Sequence, residues 1–152
     1  KGELAKSGEI HSELLQQLNA LSFYQQKAPK SLGMEWVLKE FHPILNFYSI
    51  SSIDLLRTLV EHIAIQIASV LKENSKALFT GGGSYHQFLI ERIAFHAPLV
   101  QIEIPEPKII DFKEAIVFAF LGARYLRNES TNVPSVTGAS KSLCTGVYHR
   151  GG

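Results

Sequence analysis

The sequence predicts an α/β fold, because a strand, a glycine turn, a helix and a second strand follow one another between residues 77 and 104. Residues 77–80 form a short apolar run typical of a buried strand, and Gly81, Gly82 and Gly83 end it. Residues 99–104 carry the alternating pattern of a second strand. A strand–helix–strand order favours a parallel pair with the connecting helix packed on the sheet.

Helices are predicted on both sides of this core from apolar residues at helical spacing. The predicted ranges are residues 9–21, 34–41, 51–72, 87–94 and 111–126. His42-Pro43 should end the second range, because the residue before a proline is disfavoured in the helical region. Residues 132–139 are rich in turn residues and could include a short strand.

Two of these helices begin with a capping-box pattern, in which an acidic residue follows the cap by three positions. Ser51 and Asp54 form the first pattern, and Asp111 and Glu114 form the second. The helix after Ser51 should turn one apolar face to the core, formed by Leu56, Leu59, Val60, Ile63, Ile67, Val70 and Leu71.

Length and composition indicate one globular domain, with residues 1–50 as a helical extension and residues 51–152 as the α/β part. A net charge of +1 argues against a broad nucleic-acid surface. No apolar stretch approaches the ~20 residues that a membrane span needs. The single Cys144 cannot form an internal disulfide, so a reducing cytoplasm is the simpler location.

The glycine turn is the best candidate site, and two interpretations remain open. It is neither a P-loop nor the spaced dinucleotide fingerprint. It either lets a nucleotide approach the backbone at a helix N-terminus, or only supplies the positive φ of a tight turn.

The other candidates are weaker on spacing alone. Asp111 and Glu114 could bind a sugar hydroxyl or a metal, but on spacing alone capping of a helix is the favoured explanation. The six histidines and Cys144 lack zinc-ligand spacing, so we assign no metal. Trp36, Phe41, Phe47 and Tyr48 are expected to pack in the core, and no catalytic residue is assigned within the chain.

Four segments, in the same order along the chain, resemble motifs of the anhydro-N-acetylmuramic acid kinase family. Ala28-Pro-Lys-Ser-Leu-Gly-Met-Glu35 resembles the family's Pro-Lys-Ser-Thr-Gly-Arg-Glu, and Leu78-Phe-Thr-Gly-Gly-Gly83 resembles its strand and triple glycine. The segment that begins at Asp111 resembles its acidic pair followed by Glu-Ala. Asn132-Val-Pro-Ser-Val-Thr-Gly-Ala139 is similar to its Asn-Leu-Pro-Ser-Val-Thr-Gly-Ala.

The resemblance implies the C-terminal half of a two-lobe kinase of the ribonuclease H-like sugar kinase, actin and heat-shock ATPase superfamily. Such an enzyme opens the 1,6-anhydro ring of anhydro-N-acetylmuramic acid with water and phosphorylates the sugar, with ATP and Mg²⁺, in cell-wall recycling. By resemblance, Gly81, Gly82 and Gly83 lie under the adenosine, and Glu114 lies at the sugar side of the cleft. The resemblance therefore favours a binding role for Glu114 over a capping role.

The resemblance also implies parts that this chain does not contain. The family's phosphate loop and catalytic aspartate would precede Lys1, so the chain alone is not expected to catalyse the reaction. The alternatives are a non-catalytic module that binds nucleotide or a partner, and a different kinase of the superfamily. Met34 and His86 stand where the family has arginine and asparagine. An uncovered cleft wall would expose apolar surface, so a homo-oligomer is expected.

Overall fold

The computed structural model describes residues 1–27, 30–147 and 149, and it divides into two compact units. The first unit comprises Lys1–Ile110, and the second comprises Asp111–Gly152. The prediction of an α/β chain is confirmed, since helices accompany a small parallel sheet. The prediction of one domain with a helical extension up to residue 50 stays a prediction.

The sheet of the first unit contains two strands, β1 (Lys76–Leu78) and β2 (Gln101–Glu103). They are parallel, and Ala77 lies opposite Ile102, so the predicted strand pair is confirmed. The prediction that the first strand is buried is wrong, because Leu78 is 64% exposed. Two strands offer too little surface for a sheet to bury both of its faces.

Eight helices begin within the described part of the first unit, and most of them are short. In chain order they are α1 (Glu3–Lys6), α2 (Ser12–Asn19), α3 (Ser22–Gln25), α4 (Met34–Trp36), α5 (His42–Phe47), α6 (Ser52–Ala68), α7 (Gln87–His96) and α8 (Pro107–Asp111). Helix α7 connects the two strands, as the sequence predicted. Helices α1, α2 and α7 all pack against α6, where Ala5, Val60 and Phe88 form a buried apolar cluster.

The start of α6 confirms the first predicted cap. The Ser51 hydroxyl oxygen accepts a hydrogen bond from the Asp54 amide at 3.1 Å. The Asp54 carboxylate in turn accepts hydrogen bonds from the Ser51 hydroxyl at 2.7 Å and from the Glu9 amide at 2.8 Å. The bonds from the Glu9 amide and the Ser51 hydroxyl hold the pKa of Asp54 below its usual range. Helix α6 therefore begins with a local cap that also binds the segment before α2.

The predicted core face of α6 is confirmed in part, since Leu59, Ile67 and Leu71 are partly buried. Val60 is buried, but Leu56, Ile63 and Val70 are 43%, 42% and 75% exposed. The side that α1, α2 and α7 cover instead buries Thr58, Glu61, His62 and Ala64. Three of these four residues are polar, and hydrogen bonds from neighbouring elements compensate their burial.

The predicted end of the second helix at His42-Pro43 is also wrong. The chain remains helical there, because a π-helical turn at Val37–Phe41 joins α4 to α5. His42 has φ −60° and ψ −40°, inside the helical region. Pro43 lies in the first turn of α5, where a missing backbone N–H costs least.

In the second unit, the described residues form two helices, α9 (Lys113–Leu126) and α10 (Pro134–Thr137). The predicted capping box at Asp111 is wrong, because Asp111 is the last residue of α8 and Phe112 occupies the N-cap position without a side-chain cap. The possible strand in residues 132–139 is likewise wrong, since α10 lies there. None of the side chains of α9 is buried.

Candidate functional site

The glycine turn follows β1 and consists of one tight helical turn. Gly81 has φ +83° and ψ 173°, a conformation that residues with a Cβ rarely adopt. The next four residues, Gly82–Tyr85, form a 3₁₀ turn. The buried Ser84 closes it, because its amide and its hydroxyl donate to the Gly81 carbonyl oxygen at 3.0 and 2.7 Å. The backbone of this turn is therefore held by the chain itself.

Gly82 and Gly83 differ from Gly81, because the backbone conformation at these two positions does not require glycine. A Cβ placed on either residue would meet no atom within 4 Å, and neither has a positive φ in the left-handed range. Open space beside the backbone is what a ligand needs for close approach. The two interpretations of this turn therefore apply to different residues: Gly81 supplies the conformation, and Gly82 and Gly83 leave the backbone accessible.

His86 connects the turn to α7. Its amide donates to the Gly83 carbonyl oxygen at 3.0 Å, and its Nδ1 accepts a hydrogen bond from the Leu89 amide at 3.0 Å. The side chain thus caps α7, a role that was not predicted because histidine is not among the favoured N-cap residues. Met34, the other departure from the family motif, begins α4 and is 66% exposed.

Glu114 lies in the first turn of α9, in the second unit, and its side chain is exposed. An acidic residue at this position interacts favourably with the helix dipole. The structure therefore brings Gly81, Gly82 and Gly83 together in one turn and places Glu114 in the other unit. That Glu114 serves the same site as the glycines stays a prediction.

An ionic cluster around the buried Glu61 joins α6 to α7. The Glu61 carboxylate accepts two hydrogen bonds from Arg92, both at 2.8 Å, and one from Arg57 at 2.7 Å. Nε2 of His96 lies 2.6 Å from Glu61 Oε1. Burial alone would raise the pKa of Glu61, but the bonds from Arg92, His96 and Arg57 together lower that pKa to about 2.

A second buried polar group, His62, joins α6 to α2 and α3. Its Nδ1 lies 2.7 Å from Asn19 Oδ1, and its Nε2 lies 3.0 Å from the Tyr24 hydroxyl. Burial lowers the pKa of His62 to about 4. The ring is therefore neutral near pH 7, with Nδ1 donating to Asn19 and Nε2 accepting from Tyr24. No local pattern indicates this role, because the partners lie 38 and 43 residues away.

Beside His62 lies an open apolar cavity of about 540 Å³. The residues that line it include Phe23, Tyr24, Lys30, Trp36 and Phe41. The predicted aromatic packing is thus found for Trp36 and Phe41, whose rings lie 6.2 Å apart. It is wrong for Phe47, which is 79% exposed.

Among residues 1–27, 30–147 and 149, no group of three or more His, Cys, Asp or Glu side chains is arranged to hold a metal ion. No helix in this part of the chain combines the length and apolarity that a membrane span requires. Cys144 is exposed and forms no disulfide.

Sequence comparison defines the class of protein to which these features belong. The family model of anhydro-N-acetylmuramic acid kinase matches residues 1–150, almost the full length of the chain. The chain therefore belongs to the anhydro-N-acetylmuramic acid kinase family. This confirms the resemblance inferred from the four ordered motifs, of which the first includes Ala28 and Pro29, outside the described residues.

Individual relatives agree with the family model. The chain is 36% identical over 161 residues to the anhydro-N-acetylmuramic acid kinase of Crocosphaera subtropica, and 37% identical over 158 residues to that of Sulfurovum sp.. Each alignment covers 97% of this chain and 42% of the relative. The kinase of Mannheimia succiniciproducens is 36% identical, with 94% and 42% covered. The chain thus spans less than half the length of these relatives.

Proposed function

We propose that this chain is the C-terminal part of an ATP-dependent kinase that hydrolyses and phosphorylates 1,6-anhydro-N-acetylmuramic acid in cell-wall recycling. The observation that carries the proposal is the family match along residues 1–150. The accessible glycine turn between β1 and α7 supports a nucleotide-binding role. By itself the chain is not an active kinase under this proposal, because the phosphate loop and the catalytic aspartate would belong to the preceding part.

The nucleotide in this proposal binds at the glycine turn. Gly82 and Gly83 fit that role, because the space beside their backbone is open, so the adenosine half of ATP can approach closely. ATP supplies the phosphoryl group, and Mg²⁺ accompanies it. Phosphoryl transfer depends mainly on positioning and charge stabilisation, so the task of these residues is to hold the nucleotide in place.

Glu114 binds the sugar through its exposed carboxylate at the start of α9. The strand–helix–strand segment from β1 to β2 is part of a ribonuclease H-like second lobe under this proposal. The protein acts in the cytoplasm, where its amino-sugar substrate and ATP are available.

The experiment combines residues 1–152 with the preceding part of the protein and supplies ATP, Mg²⁺ and the anhydro sugar. We expect phosphorylated N-acetylmuramic acid by mass spectrometry, and none from the 152-residue chain alone. The variant Glu114→Gln should raise KM for the sugar. A folded, nucleotide-binding protein that phosphorylates a different sugar preferentially would indicate another kinase of the superfamily.

A second candidate function is a non-catalytic module that binds nucleotide or a partner chain. The accessible glycine turn favours it equally, because nucleotide binding at Gly82 and Gly83 requires no catalysis. The two candidates separate in the same assay: the module binds ATP but yields no phosphorylated sugar even when the preceding part is present.

A further inference from the structure

The open cavity beside His62 has the size of a site for a small molecule. Its volume of about 540 Å³ lies within the range of roughly 300 to 1,000 Å³ that such sites span. The residues that line it come from α3, from α6 and its end, and from the segment between Lys30 and Phe41, all in the first unit. None of the described residues of the glycine turn lines it, so the two places are separate.

Most of the residues that line this cavity are aromatic or aliphatic. Three of them, Leu32, Ile63 and Val70, are 42%, 42% and 75% exposed. Removing such surface from water favours the binding of an apolar body. A sugar would instead place its many hydroxyl groups against side chains that cannot form hydrogen bonds with them, which is costly. The lining therefore suits a ligand that is largely apolar.

The π-helical turn at Val37–Phe41 brings two aromatic residues of the cavity together. Trp36 and Phe41 are five positions apart, a spacing that an α-helix would turn to directions about 140° apart. A π-helical turn bonds residues five apart, and here the two ring centroids lie 6.2 Å from each other. Such turns are rare and are frequent at functional sites. Aromatic rings grouped in this way favour a flat aromatic ligand, which can pack against their faces or edges.

Lys30 gives the cavity a positive charge. Among the described residues that line it, Lys30 has the only charged side chain at pH 7, since burial lowers the pKa of His62 to about 4. Lys30 Nζ donates to the carbonyl oxygens of Phe23 and Tyr24, at 3.0 and 3.2 Å, and lies 4.9 Å from the centroid of the Phe23 ring. These bonds use two of the three N–H donors of the ammonium group, so one remains for an anionic ligand. A single carboxylate matches this charge, whereas the several charges of a nucleoside triphosphate exceed it.

We propose that this cavity is a binding site for a small, flat aromatic compound that carries one carboxylate. Trp36 and Phe41 contact the apolar body of the compound, and the Lys30 ammonium group pairs with its carboxylate. The site does not depend on the proposed kinase function, because it shares no residue with the glycine turn or with Glu114.

The test titrates the chain of residues 1–152 with trans-cinnamate, a flat aromatic carboxylate, and with cinnamamide, its neutral counterpart of nearly the same shape. Trp36 is the single tryptophan of the sequence, so its indole N–H gives one NMR signal that reports on the cavity directly. The amides of Gly82 and Gly83 report on the glycine turn in the same spectra. Isothermal titration calorimetry measures the Kd of each compound.

We expect cinnamate to shift the Trp36 signal until it saturates, without shifting the Gly82 and Gly83 amides. Cinnamate should bind about fivefold more tightly than cinnamamide, the factor that corresponds to one ion pair at a partly exposed site. Lys30→Met should remove this difference and leave the Kd of cinnamamide unchanged, and Lys30→Arg should restore it. The matched control is Lys39→Met, which removes a lysine that is 83% exposed and does not line the cavity, and it should change neither Kd.

Equal affinity of the wild-type chain for cinnamate and cinnamamide would overturn the proposal, as would a Trp36 signal that neither compound shifts. Loss of cinnamate binding when the preceding part of the protein is present would also overturn it, because the cavity would then be a contact surface for that part. If ATP or the anhydro sugar displaces cinnamate from Trp36, the cavity belongs to the proposed kinase site and the separate site is refuted.

Discussion

At the scale of single residues, the three glycines differ in why glycine is needed. The backbone conformation needs it at Gly81, whereas the proposed nucleotide site needs it at Gly82 and Gly83. Gly81 has a positive φ, whereas Gly82 and Gly83 have free space where a Cβ would be. We expect Gly81→Ala to reduce the free energy of unfolding by about 1 to 2 kcal/mol, the cost of forcing an L-residue into that region. Chemical denaturation of the two proteins measures this difference.

Gly82→Ala and Gly83→Ala should instead leave the free energy of unfolding within about 0.5 kcal/mol of wild type, as is usual for accessible sites. Each should weaken ATP binding, because the added methyl group lies where the nucleotide approaches. Isothermal titration calorimetry with ATP measures the effect. Undiminished affinity in both variants would contradict a nucleotide site at this turn.

His62 predicts a pH dependence of stability. Its pKa is about 4 in the folded chain, below the usual 6.5, so folding favours the neutral ring. The stability that this preference contributes is complete above pH 6.5 and decreases as the pH falls toward 4. Urea unfolding of wild type and His62→Gln between these pH values should show a smaller pH slope in the variant. Equal slopes would show that His62 is not the cause.

At the scale of elements, α6 and α7 are held together by Glu61, which is 3% exposed. Glu61→Gln leaves Arg57 and Arg92 without their carboxylate, and breaking a buried ion pair typically costs about 3 to 5 kcal/mol. The matched control is Glu91→Gln, which breaks the exposed pair with Lys6 and should cost about 1 kcal/mol or less. Similar losses in the two variants, measured by urea unfolding, would contradict the role of Glu61.

The elements also show which features a sequence can predict. The cap of α6 was predictable, because Ser51 and Asp54 are three residues apart and bond each other directly. The turn at Gly81 was predictable because its φ suits glycine alone. Local chemistry determines both features.

The buried face of α6 was predictable only in part from its own apolar spacing. It depends on contacts distant in sequence, such as those of Glu61 with Arg92 and His96, 31 and 35 residues away. In the candidate site, the glycine turn followed from local pattern. The cap by His86 did not, because histidine is an uncommon cap and its acceptor role depends on its tautomer.

At the scale of the whole molecule, exposed apolar side chains predict self-association. In α9 alone, Phe118 and Phe120 are 71% and 59% exposed, and Phe47 and Val70 are exposed in the first unit. Burial of such surface is worth roughly 25 cal/mol per Å². We expect light scattering to show a dimer or larger species whose fraction rises with concentration. A monomer over the full concentration range would contradict this expectation, and Phe118→Ser should shift the distribution toward monomer.

The parallel pair of β1 and β2 has one further consequence. The sheet in the described part of the chain has two strands. Each strand therefore forms hydrogen bonds to the other strand along one edge, and its second, outward side has no strand partner in that sheet. An outward side presents N–H and C=O groups that can pair with another strand. A further strand, from the same polypeptide or from another copy, can therefore pair with an edge of this sheet.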